Sequence, residues 1–207
     1  MATPLRALLA AVLAAGLLAG PLRAADQKVA GKIVLVKNNL DPGKRMVKYL
    51  AKEIASSRVV AGNPQTGGAT FEIVMQPALG SGSQQCFTLP ASGWRAVGSL
   101  GYKYTDATGA NGAVKVAIIK RMPSGNFILK VTANGALGAI TVEPPTRTDE
   151  ADVFFRIGGG DRYCSTFGGE FLSDAVSAFK AKNAPAPSSC AGAFLLCSPS
   201  GAFVDGF

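Results

Sequence analysis

From Ala69 onward the chain is interrupted every eight to twelve residues by glycine, proline or asparagine, and the runs between are short, apolar and rich in β-branched and aromatic residues. Runs of that kind between turn formers read as strands folded back on one another. They cover Ala69 to Gln76, Gln85 to Leu89, Gly101 to Thr105, Ala113 to Lys120, Asn126 to Thr132, Ala139 to Val142, Ala151 to Ile157 and Arg162 to Phe167. The connectors Pro123-Ser124-Gly125-Asn126, Ala133-Asn134-Gly135 and Gly158-Gly159-Gly160-Asp161 carry turn chemistry. Such a series predicts an all-β chain, an antiparallel β-sandwich or jelly-roll-like single domain over residues 32–178.

Upstream, Lys32 to Lys37 is another β-branched run, closed by the turn formers Asn38 to Gly43. Residues 44–54 fit two periods. Met46, Val47, Leu50 and Ile54 make a helical stripe, whereas Val47, Tyr49 and Ala51 alternate with Lys48, Leu50 and Lys52 as in a strand. From Phe179 to Phe207 the composition turns to Pro, Ala, Ser and Gly, which predicts a loosely ordered tail that is held only by its cysteines. A terminal aromatic also raises a membrane β-barrel, but barrel strands need about nine to eleven residues of strict alternation, and these runs are shorter and mixed.

The N-terminus gives an address. Arg6, the 13-residue apolar run Ala7 to Ala19, Gly20-Pro21 and the small residues ending at Ala24-Ala25 form a secretory signal peptide, residues 1–24. Thirteen apolar residues fall short of the roughly 18 to 20 of a membrane span, so no transmembrane segment is expected once the signal is removed. Pro21 stands where a lipoprotein would carry its acylated cysteine. The mature chain is therefore expected to be secreted or periplasmic. Four cysteines, Cys86, Cys164, Cys190 and Cys197, in an oxidising compartment read as two disulfides with three possible connectivities. No pair has the spacing of a zinc site, and no metal or cofactor is expected.

Zero histidines restricts chemistry further. Ser-His-Asp and Cys-His arrangements are excluded, together with the commonest general base near neutral pH. Glu72, Asp106, Glu143, Asp149, Glu150, Asp152, Asp161, Glu170 and Asp174 supply carboxylates, and two of them facing each other would suit glycoside hydrolysis, although the sequence places no two together. Ser177-Ala178-Phe179-Lys180 has the Ser-x-x-Lys spacing of penicillin-recognising enzymes without their other motifs. Asp106 to Gly112 has some oxygen ligands of a calcium loop but lacks its alternating acids and closing Glu, so it reads as a hairpin loop.

The glycine-rich stretch from Ile157 to Gly169 lacks the third glycine of a dinucleotide loop, since Tyr163 stands there, and no Cys-x-x-Cys follows. It reads as a turn entering a strand. Net charge is +8, or +6 without Arg6 and Arg23, which favours anionic polymers or membrane surfaces as partners. The Lys and Arg are scattered, with no run longer than Lys44-Arg45, so they read as a solvated surface with no nucleic-acid partner. Trp94, Tyr102 and Tyr104 are the candidate binding residues: either a stacking platform for sugar rings, or Trp94 in the core with the tyrosines covering its edge. The expected function is non-catalytic, a structural or binding role toward an extracellular polymer or envelope component. The alternative is a carboxylate-based hydrolase of polysaccharide or cell wall.

The segments KNNLDPGKRMVKYLAKE (37–53), LPASGWRAVGSLGYKYTDATGANGAVKVAIIK (89–120), RYCSTFGGEF (162–171) and FKAKNAPAPSSC (179–190) resemble a family of small secreted bacterial domains of unassigned function. The resemblance spans about residues 32–190. It implies a strand over 44–52. Its Tyr-Cys-x-x-Phe-Gly-Gly motif and its Ala-Pro-Ala-Pro-x-x-Cys tail imply a Cys164–Cys190 bridge, contributing roughly 3 to 4 kcal/mol. That leaves Cys86 and Cys197 to each other; a Cys190–Cys197 bridge with Cys86–Cys164 is the rival pairing.

Overall fold

A computed structural model of the chain describes residues 24–190 together with Cys197. Residues 1–23 of the expected signal peptide and, Cys197 apart, the expected tail after residue 190 lie outside the described residues. Thirteen strands follow in chain order: β1 (Asp26–Lys28), β2 (Gly31–Lys37), β3 (Met46–Glu53), β4 (Ala69–Pro77), β5 (Ser83–Leu89), β6 (Trp94–Ala96), β7 (Gly101–Thr105), β8 (Val114–Arg121), β9 (Phe127–Asn134), β10 (Thr148–Ile157), β11 (Arg162–Phe167), β12 (Phe171–Ala175) and β13 (Ala178–Ala184). They form a five-stranded sheet, β1-β11-β10-β4-β5, and an eight-stranded sheet, β12-β13-β2-β3-β9-β8-β7-β6. Neither sheet closes on itself. Every pairing is antiparallel except that of β1 with β11.

The two sheets stack over one core, making the expected sandwich. Val34, Val36, Val47, Tyr49, Ile119, Leu129 and Val131 of the larger sheet meet Phe71, Ile73, Met75, Val153, Phe155 and Ile157 of the smaller. Aromatic pairs cross the gap: Phe127 stacks on Tyr163 at 5.6 Å, Tyr49 lies 6.1 Å from Phe71, and Trp94 meets Phe155 edge-on at 6.2 Å. A buried polar contact also joins the sheets. Ser165 Oγ donates to the Val29 carbonyl at 2.7 Å, which commits its single proton, so the Tyr49 hydroxyl donates to Ser165 Oγ at 2.7 Å. Burial, only partly offset by this bond, pushes the Tyr49 pKa upward.

Residues 46–53 are a strand, because Val47, Tyr49 and Ala51 face the core while Lys48 and Lys52 face water. Two expectations are corrected. Residues 139–142 form no strand, although Ile140 and Val142 are buried; this stretch crosses the edge of β5, where the Gln85 side chain accepts from the Thr141 and Val142 N–H groups. The expected tail begins instead with a core strand. In β13, Phe179 and Ala181 are buried and Lys180 and Lys182 face outward, an alternation that the Pro- and Ser-rich residues after it obscured.

The glycine-rich stretch is a turn, with Gly159 at φ 71°. Its glycines allow a backbone-to-backbone approach. A Cβ on Gly158 would stand 2.0 Å from the Gly67 carbonyl oxygen, and one on Gly67 would stand 2.5 Å from that of Gly158. The Gly158 N–H donates to the Gly68 carbonyl at 2.9 Å across this contact.

The bridges are Cys164–Cys190 and Cys86–Cys197, each with Cα atoms 5.6 Å apart, which excludes the rival pairing. Replacing both Cys164 and Cys190 with Ala is expected to cost about 3 kcal/mol of unfolding free energy, read as a lowered urea midpoint.

Candidate functional site

The strand alternation that fills the core decides what each sheet shows to solvent. On the larger sheet, core residues at even spacing leave the intervening positions outside. Cross-strand registers then line these up. One row reads Lys180, Leu35, Lys48, Thr132, Val116; the next reads Lys182, Ile33, Leu50, Lys130, Ile118, Lys103, Arg95; a third reads Lys52, Ile128, Lys120. Lys37 extends the face beside Met46. Nine cations therefore share one face, at least one on each of seven adjacent strands, and none of these outward positions is Asp or Glu. At the overall ratio of 21 Lys and Arg to 13 Asp and Glu, a face carrying nine charges would include about three acids if the signs were interspersed as usual.

Only Lys182 on this face is ion-paired among the described residues, to Glu170 at 3.1 Å. That pairing, with the Asn183 amide, holds the Glu170 carboxyl below its usual range. The remaining cations mostly sit opposite aliphatic or hydroxyl residues, which avoids direct repulsion across strands. Arg95 and Lys103 are the exception, and Arg95 Nη1 is drawn back to the carbonyls of Ser92 and Trp94. Ile33, Leu35, Leu50, Ile118 and Ile128 are half-buried between the lysines, whose stems can cover apolar neighbours while the ammonium stays in water. The basic residues are thus scattered in sequence but gathered in space on one solvated face.

Of the two readings of the aromatic set, the structure shows the core and not the platform. Trp94 pairs across strands with Tyr104, and both point inward, at 0% and 1% exposure. The Trp94 indole donates to the Leu89 carbonyl at 3.2 Å, and its ring lies 5.4 Å from that of Tyr104. Tyr102 is half-buried and packs against the same core. All three occupy the inner face because their alternation is in phase with the core positions of β8 and β9, so none offers a ring to a sugar.

The carboxylates are mostly occupied by the fold. Asp106 accepts from the N–H groups of Gly109, Ala110 and Asn111 and caps its own loop, which holds its pKa low, the Asn111 N–H being the largest cause. Asp161 binds Ala25 and Gln27, Glu143 pairs with Arg45, and Asp174 accepts from the Thr148 N–H. Glu150 and Asp152 come together, both accepting from the single Gln76 Nε2, and Asp152 accepts from Thr166 as well. Burial raises the pKa of each, with mutual repulsion adding to the rise at Glu150. Three surface cavities of about 220, 370 and 500 Å³ each bring together no more than one carboxylate. Ser177 sits in the exposed β12–β13 turn, while Lys180 points from the sheet face.

On the outer face of the smaller sheet one cross-strand row reads Cys86, Glu72, Phe154, Cys164. The bridges to Cys197 and Cys190 are anchored at its two ends. Glu72 is 5% exposed, and its Oε1 has no hydrogen-bond partner among the described residues. Burial pushes its carboxyl up to about 7, against the opposing attraction of the Arg162 guanidinium.

No family model, curated protein or solved structure matches the chain.

Two outcomes follow from these positions. Trp94→Ala is expected to destabilise the domain by about 3 to 5 kcal/mol in chemical denaturation, as for a core aromatic. Glu72 binds a proton more tightly folded than unfolded, so its own contribution to stability is lost as pH rises from about 4.5 to about 7 and changes no further above. Glu72→Gln is expected to flatten that part of the pH–stability curve by roughly 1 to 3 kcal/mol, measured as urea midpoints across the window.

Proposed function

We propose that the chain is an exported, non-catalytic β-sandwich whose larger sheet binds polyanionic material of the cell envelope through its outer face. The observation that carries this reading is the set of nine cations on one continuous face whose cross-strand rows hold no acid, Glu170 meeting Lys182 at one margin. Like-signed surfaces raise the local concentration of oppositely charged partners, with a reach set by the Debye length of about 8 Å at physiological salt. Export is supported by the signal-like leader in the sequence, by two disulfides, and by the lack of any helix among the described residues long and apolar enough to cross a membrane. A binding role is favoured over a carboxylate hydrolase because Glu150 and Asp152 are both tied to Gln76 and line none of the three cavities.

The test uses a soluble polyanion, linear polyphosphate, titrated into the mature protein. Binding is expected at low ionic strength and is expected to weaken steeply as salt is added. The triple variant Lys48→Gln, Lys103→Gln, Lys130→Gln is expected to bind at least tenfold more weakly with an unchanged urea midpoint. Binding that is independent of salt, or undiminished in the triple variant, would refute the assignment.

A further inference from the structure

We propose that this face lies flat on an anionic phospholipid bilayer, an inference that rests on the polyanion reading and specifies its partner. Three features of the face point to a lipid surface. The first is shape. Seven adjacent strands at roughly 4.8 Å spacing give a cationic area about 29 Å across. None of the three cavities opens among its central residues; only Lys182, at one margin, lines any of them. A single polymer strand is held by a groove, whereas a broad sheet face meets a broad surface.

The second is the choice of cation. Eight of the nine are lysines. Lysine is a flexible point charge, suited to a diffuse array of phosphates, where arginine would supply a rigid fork for one defined anion.

The third is what lies between the charges. Ile33, Leu35, Leu50, Ile118 and Ile128 are half-buried among the lysines, and no aromatic side chain occupies an outward position in the three rows. Aliphatic area beneath Lys stems fits the boundary between headgroups and acyl chains. Without aromatic rings the face has no stacking surface for sugars or bases.

Flotation of the mature protein with vesicles tests this. With mixed phosphatidylglycerol and phosphatidylcholine, binding is expected at low salt and should be lost as salt rises; with phosphatidylcholine alone, none is expected. Lys48→Gln and Lys130→Gln are each expected to weaken partitioning about fivefold, near the contribution of one lysine at an anionic surface. Arg156→Gln, on the outer face of the other sheet, is expected to leave it unchanged. Far-ultraviolet circular dichroism and urea midpoints matching the wild type would show that the variants are folded. Binding to polyphosphate without binding to the phosphatidylglycerol vesicles would overturn the bilayer assignment and leave the polyanion reading standing. Failure to bind either probe would overturn both. Vesicle binding that Arg156→Gln reduces as much as Lys48→Gln would overturn the choice of face.

Discussion

The apolar contact between the inner faces of the two sheets is what the remaining structure depends on. Tyr49, Val131, Ile119 and their neighbours must stay dry against Phe71, Ile73 and Phe155, and this fixes the phase of every strand in the larger sheet. Because side chains alternate with a period of two, a slip of one residue in β3 would carry Lys48 and Lys52 inward and Tyr49 outward. The cost of burying those ammonium groups is what keeps the cationic lattice in register. The external charge pattern is thus held by the same packing that stabilises the domain.

The smaller sheet is built differently on its outside. There the row Cys86, Glu72, Phe154, Cys164 carries both disulfides, and the Arg162 guanidinium lies over the Phe154 ring at 5.6 Å while it also pairs with Asp26. Glu72 is buried within this row, which explains why its carboxyl resists ionisation. Cross-linking on one outer face and like charge on the other leave the domain with two unlike sides.

The sequence made most of the strands legible, because β4, β7, β10 and β11 combine β-branched or aromatic runs with glycine or proline at their ends. β13 was hidden by composition. Its short alternation of Phe179, Lys180, Ala181 and Lys182 merges into a Pro- and Ser-rich stretch, and its partner β2 lies at the other end of the chain. The cationic face was hidden for a related reason. Lys48 and Lys130 look unrelated until cross-strand pairing sets them on either side of Leu50 and Thr132, and pairing depends on long-range packing that no local pattern records. Trp94 and Tyr104 show the converse. Their aromatic character fitted either a surface or the core, and their phase relative to Leu129 and Val131 committed them to the interior.

The pairing of β2 with β13, and of β1 with β11, has a bearing on how the chain comes to be folded. The larger sheet cannot acquire its β2–β13 seam, nor the smaller its parallel edge, until residues near the C-terminal end have emerged and met those near the beginning. Such distant closures form slowly. Local hairpins such as β4–β5 and β8–β9 need no late residues, so it is these two edges that stay unpaired until synthesis is well advanced.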